Sequence, residues 1–308
     1  MSFSKQTKAE LCACDVIDEE QKKSLVYGMI LFSKVFTHSA LSLTTECRPV
    51  ALLYAQLIPE VTGTIVELTV NLTRRGGEGS IFTLSVPDKN DCEQIFDYFG
   101  HSSKHPSLRI NRANIENDEC FSSFLRGVFL VCGNVTNPEK DYHMEFVVPH
   151  MHLASDLERI ISEIEEIHTD PSVIKRKGSY VVYIKGSDHI ADMLTYIGAP
   201  MSTLEIIQNK MLKSVRNRVN RKINSETANI KKTADASAKQ LRAIELIRTK
   251  RGLDFLPDDL RELAQVRLDN PEYNLRELGA ALSAPISRSG ANHRIQRIMD
   301  IARELGDK

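Results

Sequence analysis

Apolar residues in the first hundred positions recur with helical and alternating periods, which predicts a mixed α and β structure. Leu25, Met29 and Phe32 lie at helical spacing, and residues 64–72 alternate apolar and polar side chains as a strand does. In chain order the pattern predicts a helix at 19–33, a strand at 40–46, a helix at 49–58, a strand at 64–72, a glycine-rich turn at 75–79, a strand at 81–86 and a helix from Asp88 or Asn90 to Phe99.

The same order of elements returns in the second hundred residues. It comprises a helix at 118–130 capped by Asp118, a strand at 142–148, a helix at 153–167, a hairpin with strands at 173–176 and 180–185, and a helix at 187–197 capped by Ser187. Gly28 and Gly127 are 99 positions apart in the corresponding helices. This repetition indicates two copies of one α+β unit, which we expect to pack about a pseudo-two-fold axis.

The last hundred residues are predicted to be helical throughout. The predicted helices cover 203–223, 233–248, 257–268, 274–281 and a final segment from Ser287 or Ser289 to Leu305. Asn274 and Glu277 have the spacing of a capping box at the start of the short fourth helix. A short helix, a turn and a longer helix form a helix-turn-helix, whose second helix enters the major groove by its N-terminal end.

Charge is divided unevenly along the chain, although the net charge is only −1. Residues 1–208 carry 19 Lys and Arg against 28 Asp and Glu, a balance of −9, whereas residues 209–308 carry 21 against 13, a balance of +8. Residues 209–250 alone hold 12 basic and 3 acidic residues. The C-terminal part is therefore expected to attract phosphate and the N-terminal part to repel it.

The candidate DNA contacts lie in two basic segments. The first is the start of the final helix, where hydroxyl, guanidinium, amide and imidazole groups suit phosphates and base edges: Ser287, Arg288, Ser289, Asn292, His293, Arg294 and Arg297. For Asn292 and His293 the alternative is a role in supporting the turn. The second is the helix at 203–223, with Arg216, Arg218, Arg221 and Lys222. For this helix the alternative is interdomain packing with a solvated basic face.

Two segments resemble the LAGLIDADG helices of homing endonucleases. They are residues 26–34, VYGMILFSK, and 125–133, LRGVFLVCG. In that family a small residue at the third position lets the two helices pack closely, and a carboxylate at the eighth position holds the nuclease metal. Gly28 and Gly127 match the third position, but Ser33 and Cys132 occupy the eighth. The resemblance implies the fold without a metal site or catalytic residues.

The whole chain is similar to the WhiA family of bacterial regulators. The similarity is carried by FLRGVFL at 124–130, PEKDYHMEF at 138–146, VRNRVNR at 215–221, ETAN at 226–229, LRELG at 275–279 and SGANHR at 289–294. Membership implies a degenerate homing-endonuclease-like domain joined to a DNA-binding helix-turn-helix. It also implies a role in sporulation-type transcription regulation, cell division or chromosome segregation.

The fold class that follows is α+β: a duplicated LAGLIDADG-like domain followed by an all-α helix-turn-helix domain. The expected domains are a first half at 1–115, a second half at 116–202, a basic helical connector at 203–250 and the helix-turn-helix at 251–308. Two alternatives to a non-catalytic DNA-binding regulator stay open. One is a division factor that acts mainly through protein contacts, and the other is an active metal-dependent endonuclease.

The expected partners are double-stranded DNA and a regulatory protein, with no cofactor and no small-molecule substrate. Six scattered cysteines without a Cys-x-x-Cys pair argue against disulfides and zinc sites. No signal peptide or membrane span is evident, so we expect a cytoplasmic, nucleoid-associated protein. His150 and His152 alternate after Pro149, which predicts an extended segment with both on one face, either as a metal pair or as surface histidines.

Overall fold

The computed structural model describes residues 2–16, 18–73, 79–104 and 107–306. The chain forms two compact units, an N-terminal unit of residues 1–213 and a C-terminal unit of residues 214–308. In the described ranges, no helix combines the length and apolar character needed to cross a bilayer.

The first repeat contains the elements that its periodicity predicts, with two additions. Its elements are α1 (Phe3–Cys12), α2 (Glu19–Leu31), β1 (Val35–Thr37), β2 (Ala40–Thr45), α3 (Arg48–Thr62), β3 (Glu67–Thr73), β4 (Gly79–Val86) and α4 (Lys89–Tyr98). The sequence analysis missed α1 and the three-residue β1. For α1 the signal was present, since Phe3, Thr7 and Leu11 are buried at i+4 spacing. The turn predicted at 75–79 lies, except for Gly79, outside the described residues.

The second repeat follows the same plan. It contains α5 (Asp118–Cys132), β5 (Gly133–Val135), β6 (His143–Val148), α6 (Met151–Ser162), β7 (Ser172–Arg176), β8 (Ser179–Lys185) and α7 (Ser187–Ile197). Two predicted caps were wrong by one position. Asn117 caps α5 through its side chain, which accepts from the Cys120 amide, and Gly186 precedes α7 without a side-chain cap. The helix predicted at 153–167 ends at Ser162, and a 3₁₀ turn covers Glu165–Ile167.

The start of α6 corrects the prediction for its two histidines. His150 is the N-cap residue and His152 lies in the first helical turn, so they do not share the face of an extended segment. The strand β6 ends at Val148, and the chain enters the helix directly after Pro149. Alternation over so few residues does not distinguish a strand end from a helix start.

Two four-stranded antiparallel sheets confirm the duplication. Their strand orders are β1-β2-β4-β3 and β5-β6-β8-β7, so each repeat has the same connectivity. In the first sheet Leu41 pairs with Val86 and Leu43 with Leu84, and in the second Phe146 pairs with Val182. These residues are buried, which places one face of each sheet against the helices of a shared core.

Two glycines set the distance between α2 and α5 at the centre of the N-terminal unit. A Cβ on Gly28 would meet the carbonyl oxygen of Phe124, and one on Gly127 would meet that of Leu25, in both cases at less than 3.0 Å. Leu25 and Phe124, like Gly28 and Gly127, are 99 positions apart. The two contacts are therefore reciprocal, as a pseudo-two-fold axis between the repeats requires. Only glycine allows backbones to approach this closely.

Four helices make up the remaining chain: α8 (Pro200–Arg251), α9 (Asp258–Asp269), α10 (Leu275–Ala280) and α11 (Arg288–Gly306). The prediction of separate helices at 203–223 and 233–248 was wrong, because α8 is continuous. Residues 224–232 contain neither Gly nor Pro, so no backbone signal ends the helix there. The core of the C-terminal unit joins the end of α8 to α9, α10 and α11 through Ile244, Leu260, Leu263, Leu278 and Ile295.

Candidate nucleic-acid interface

The turn between α10 and α11 is held by backbone packing and by caps. The predicted capping box is present, since the side chain of Asn274 accepts from the Glu277 amide at 3.1 Å and Glu277 accepts from the Asn274 amide at 2.7 Å. The amide of Ile286 donates to the carbonyl of Gly279 at 2.9 Å, and a Cβ on Gly279 would collide with the Ile286 carbonyl. Glycine at this position therefore allows the tight turn of the helix-turn-helix.

The structure exposes most of the predicted contacts at the start of α11. Ser287 caps the helix, with its Oγ accepting from the Gly290 amide at 3.2 Å. The exposed members of the predicted set are Ser287, Arg288, Ser289, Asn292, His293 and Arg297. Ala291, Ile295 and Ile298 on the opposite side are buried in the core of the C-terminal unit. The exposed residues thus form the outward face of the second helix of the motif.

Arg294 is placed differently from the other arginines. Its Nε lies 3.4 Å from Oδ2 of Asp259, and its Nη1 donates to the Asp259 carbonyl at 3.4 Å. Its side chain is only 26% exposed. The structure therefore gives Arg294 a role in joining α11 to α9, and this separates it from the exposed face that carries Asn292.

Gln296 belongs to the exposed face, but the sequence analysis missed it. It follows Asn292 by four positions and His293 by three, so it lies beside both on the surface of α11. Glutamine and asparagine side chains can each form two hydrogen bonds to the edge of adenine. The helical spacing from Asn292 was the signal that could have identified it.

The predicted basic residues of α8 are solvent-exposed. Arg216, Arg218, Arg221 and Lys222 are all open to solvent, and Arg221 Nε donates to the Asn217 carbonyl at 3.3 Å. The apolar residues at i+4 steps on this segment are also about half exposed, with Val215 at 49% and Val219 at 48%. This part of α8 presents cations and a partly apolar stripe together.

A small cavity of about 440 Å³ lies beside the first residue of α11. Its lining includes the buried Arg267 and three exposed cations from separate elements: Lys232 from α8, Arg276 from α10 and Arg288 from α11. No carboxylate is found among the described residues that line it. Three cations around a concave surface without a counter-ion suit a phosphate group. Lys232 and Arg276 were not among the predicted contacts.

The buried arginine in this lining fixes the neighbouring backbone. Arg267 is 2% exposed, and its Nη1 donates to the carbonyl of Tyr273 at 2.6 Å and to that of Pro271 at 3.4 Å. Burial lowers the pKa of Arg267. Ser237 of α8 also donates to the Pro271 carbonyl, at 2.5 Å. These bonds fix the segment between α9 and α10, and thereby the position of Arg276.

The two positions that carry the metal-binding carboxylates in homing endonucleases have no acidic side chain here. Ser33 is buried, and its Oγ donates to the Met29 carbonyl at 2.8 Å. Burial raises the pKa of the Cys132 thiol to about 12, so the sulfur is neutral. A cavity of about 300 Å³ is lined by Cys132 and by the two neighbours of Ser33, Phe32 and Lys34, and its described lining contains no Asp or Glu. Across the described ranges, no group of three His, Cys, Asp or Glu residues is arranged to hold a metal ion.

Comparison with known proteins agrees with this geometry. Residues 219–302 match the model of the WhiA C-terminal HTH domain, and residues 121–216 match that of the WhiA LAGLIDADG-like domain. A Clostridium botulinum protein named "Probable cell division protein WhiA" is 35% identical over 99% of this chain and 99% of its own length. The chain belongs to the WhiA family. A Thermoanaerobacter relative of the same name is also 35% identical, over 100% of this chain and 99% of its own length.

A solved WhiA structure extends the agreement to the whole fold. The full-length DUF199/WhiA from Thermatoga maritima matches with a TM-score of 0.58 at 26% identity, covering 99% of both chains. The residues that match the LAGLIDADG-like WhiA model contain most of α5 and all four strands of the second sheet, with α6 and α7. Those that match the WhiA helix-turn-helix model contain α9, α10 and most of α11. The family relation therefore confirms a LAGLIDADG-like domain followed by a helix-turn-helix.

Proposed function

We propose that this WhiA-family protein is a non-catalytic DNA-binding regulator that acts in cell division. The observation that carries the proposal is the exposed face of α11, where Asn292, Gln296 and Arg297 lie together on the second helix of a helix-turn-helix. Such a face suits direct contact with base edges in the major groove. The cavity lined by Lys232, Arg276 and Arg288 supports a phosphate contact next to it.

Charge supports a division of roles between the two parts of the chain. Residues 1–208 carry a balance of −9, whereas residues 209–250 carry 12 basic and 3 acidic residues. A long polyanion is repelled by the first part and attracted by the second. We therefore assign the phosphate contacts to the C-terminal unit, including the exposed Arg216, Arg218, Arg221 and Lys222 of α8.

The side chains at the two positions that match the metal-binding carboxylates of homing endonucleases support a non-catalytic role. Mg²⁺ prefers charged oxygen ligands, and a hydroxyl and a neutral thiol do not replace paired carboxylates. Ser33 and Cys132 are instead hydrogen-bonded to the carbonyls of their own helices. We propose that the LAGLIDADG-like domain serves as a scaffold and does not cut DNA.

The cellular role is proposed from the names of the relatives. Several are called "Probable cell division protein WhiA". We propose that binding at promoter or chromosomal sites links this protein to division. The specific roles that we propose are transcription control, chromosome segregation and sporulation-type regulation. In this proposal the protein is associated with the nucleoid.

A second candidate function, protein binding by the N-terminal unit, is favoured by one surface. Leu68, Val70 and Leu72 alternate along the edge strand β3 and are 39%, 50% and 80% exposed. Leu68 pairs with the buried Leu84, so the three residues share the apolar side of the sheet. Exposed apolar side chains on an edge strand suit a protein partner.

The DNA-binding proposal is tested by fluorescence anisotropy with sites obtained from genome-wide mapping of bound DNA. We expect affinity to fall steeply with salt, and Asn292→Ala with Gln296→Ala to reduce the preference for the mapped sites over random duplex. Glu304→Gln, near the far end of α11, is the matched control. Equal binding of mapped and random DNA by the native protein would contradict the proposal.

The scaffold role is tested by incubating supercoiled plasmid with the protein and Mg²⁺. We expect the plasmid to stay supercoiled. Nicking that EDTA abolishes would contradict the scaffold role and restore the nuclease alternative. For the protein-binding alternative, Val70→Lys with Leu72→Lys should remove a captured partner and leave DNA affinity unchanged.

A further inference from the structure

A cavity of about 820 Å³ lies in the described part of the N-terminal unit. Three parts of the chain that are distant in sequence line it: residues 36–38 at the end of β1, Phe96 of α4 with residues 100–103 and 107–111 after that helix, and residues 150–152 at the start of α6. Both repeats therefore contribute to one concave surface. Pockets that bind small molecules in proteins have volumes of about 300–1,000 Å³.

The chemistry of the lining favours an anion. Four histidines line the cavity, namely His38, His101, His150 and His152. Arg109 and the hydroxyls of Ser102, Ser103 and Ser107 add further donors, and the described lining contains no Asp or Glu. This composition is unusual in a unit whose residues 1–208 carry nine more acidic than basic residues.

Two of these donors, Arg109 and His101, are held in place before any ligand binds. Arg109 donates from Nε and Nη2 to the buried carboxylate of Asp156, at 2.7 and 2.6 Å, which leaves Nη1 for another partner. The ring of His101 stacks on Tyr27 with centroids 5.8 Å apart and meets Phe36 edge-on at 5.5 Å. A preorganised site loses little conformational entropy on binding.

The start of α6 adds backbone donors to these side chains. His150 caps the helix without a side-chain hydrogen bond to the first turn. The first amides of a helix have no intrahelical acceptor, and the helix dipole makes this end attractive to negative charge. His150 and His152 lie at this end and line the cavity. Phe36, Phe96 and Met151 supply an apolar side for the uncharged part of a ligand.

We propose that this cavity binds a small phosphorylated molecule, a phosphate monoester of up to mononucleotide size. The phosphate lies against His150, His152 and the first amides of α6. A small anion responds mainly to the nearby donors, because screening limits the field of distant charges to about 8–10 Å. A DNA duplex meets the whole acidic surface of the unit, so we assign the cavity to a small molecule. This molecule would be bound without being converted, so the proposal agrees with the expectation of no small-molecule substrate.

The test is isothermal titration of the full-length protein with inorganic phosphate, ribose 5-phosphate and AMP. Ribose and adenosine are the unphosphorylated counterparts. We expect a phosphorylated probe to bind at least about tenfold more tightly than its counterpart. The double variant His150→Gln, His152→Gln should weaken that binding by a further factor of about ten or more. Both side chains are exposed, so the variant retains the fold, and thermal unfolding verifies this.

His168→Gln is the matched control, because His168 is exposed but does not line the cavity. It should bind the probes as the native protein does. Failure of all three phosphorylated probes to bind would overturn the proposal, as would equal binding by the double variant. A double variant that loses affinity for DNA, while the native protein binds no small probe, would assign the histidines to DNA phosphates instead.

Discussion

The close approach of α2 and α5 predicts a large effect of one added methyl group. In Gly127→Ala the new Cβ would lie less than 3.0 Å from the Leu25 carbonyl oxygen, whereas ordinary contact requires 3.4 Å or more. The obstacle is backbone on a buried helix, so it has no rotamer by which to move aside. The two helices must separate by about an ångström to reach ordinary contact, and buried contacts along both are lost.

The expected loss of stability follows from two opposing effects. Overpacking of a core costs about 1–3 kcal/mol, and backbone collision favours the upper part of that range. Alanine regains about 1 kcal/mol of helix propensity relative to glycine. We therefore expect a net loss of about 1–2 kcal/mol and a fall in Tm of about 2–8 °C for the N-terminal unit. The measurement is thermal unfolding followed by circular dichroism and calorimetry.

Two further variants distinguish this explanation from a general intolerance of substitution. Gly28→Ala should have a similar effect, and the double variant should lose less than the sum, because one separation of the helices relieves both collisions. Gly290→Ala is the control: it is also helical, but its Cβ would have no neighbour closer than 3.5 Å, so stability should be unchanged or increased. A Gly127→Ala protein as stable as the native one would refute the reasoning.

Three other predictions follow from the C-terminal unit and from the cysteines. Arg267→Met should destabilise the C-terminal unit by about 1–3 kcal/mol in urea unfolding, because it removes the guanidinium that donates to the Tyr273 carbonyl, whereas the Pro271 carbonyl keeps Ser237 as a donor; an unchanged midpoint would contradict this. Arg288→Ala should lower the slope of log K against log salt by about 1 and weaken binding to all DNA sequences alike. In contrast, Asn292→Ala or Gln296→Ala should reduce the binding free energy by about 1–3 kcal/mol on specific sites only, and fluorescence anisotropy measures both effects. The thiol of Cys132, with its pKa raised to about 12, is protonated below that pH, so mass-spectrometric mapping at pH 8 should show slow alkylation that becomes fast after unfolding.

The sequence predicted the features that depend on residues within the same helix or hairpin. Gly28 and Gly127 marked the central helices, and Asn274 with Glu277 marked the start of α10, because caps and periodic burial involve residues only a few positions apart. The duplication of an α+β unit and the helix-turn-helix followed from those local signals, whereas the LAGLIDADG-like fold was implied by the resemblance of residues 26–34 and 125–133 to that family. The continuity of α8 was missed because its polar middle has no buried face, although nothing in its sequence ends a helix.

Tertiary packing alone decided the features that depend on distant residues. The sequence shows Arg294 as one of several cations, but the ion pair with Asp259, 35 positions away, withdraws it from the exposed face. The cavity beside α11 brings Lys232 and Arg288 together, and the cavity in the N-terminal unit brings His38 and His150 together. A side chain's partner is fixed by the three-dimensional placement of whole elements, and local periodicity contains no information about that placement.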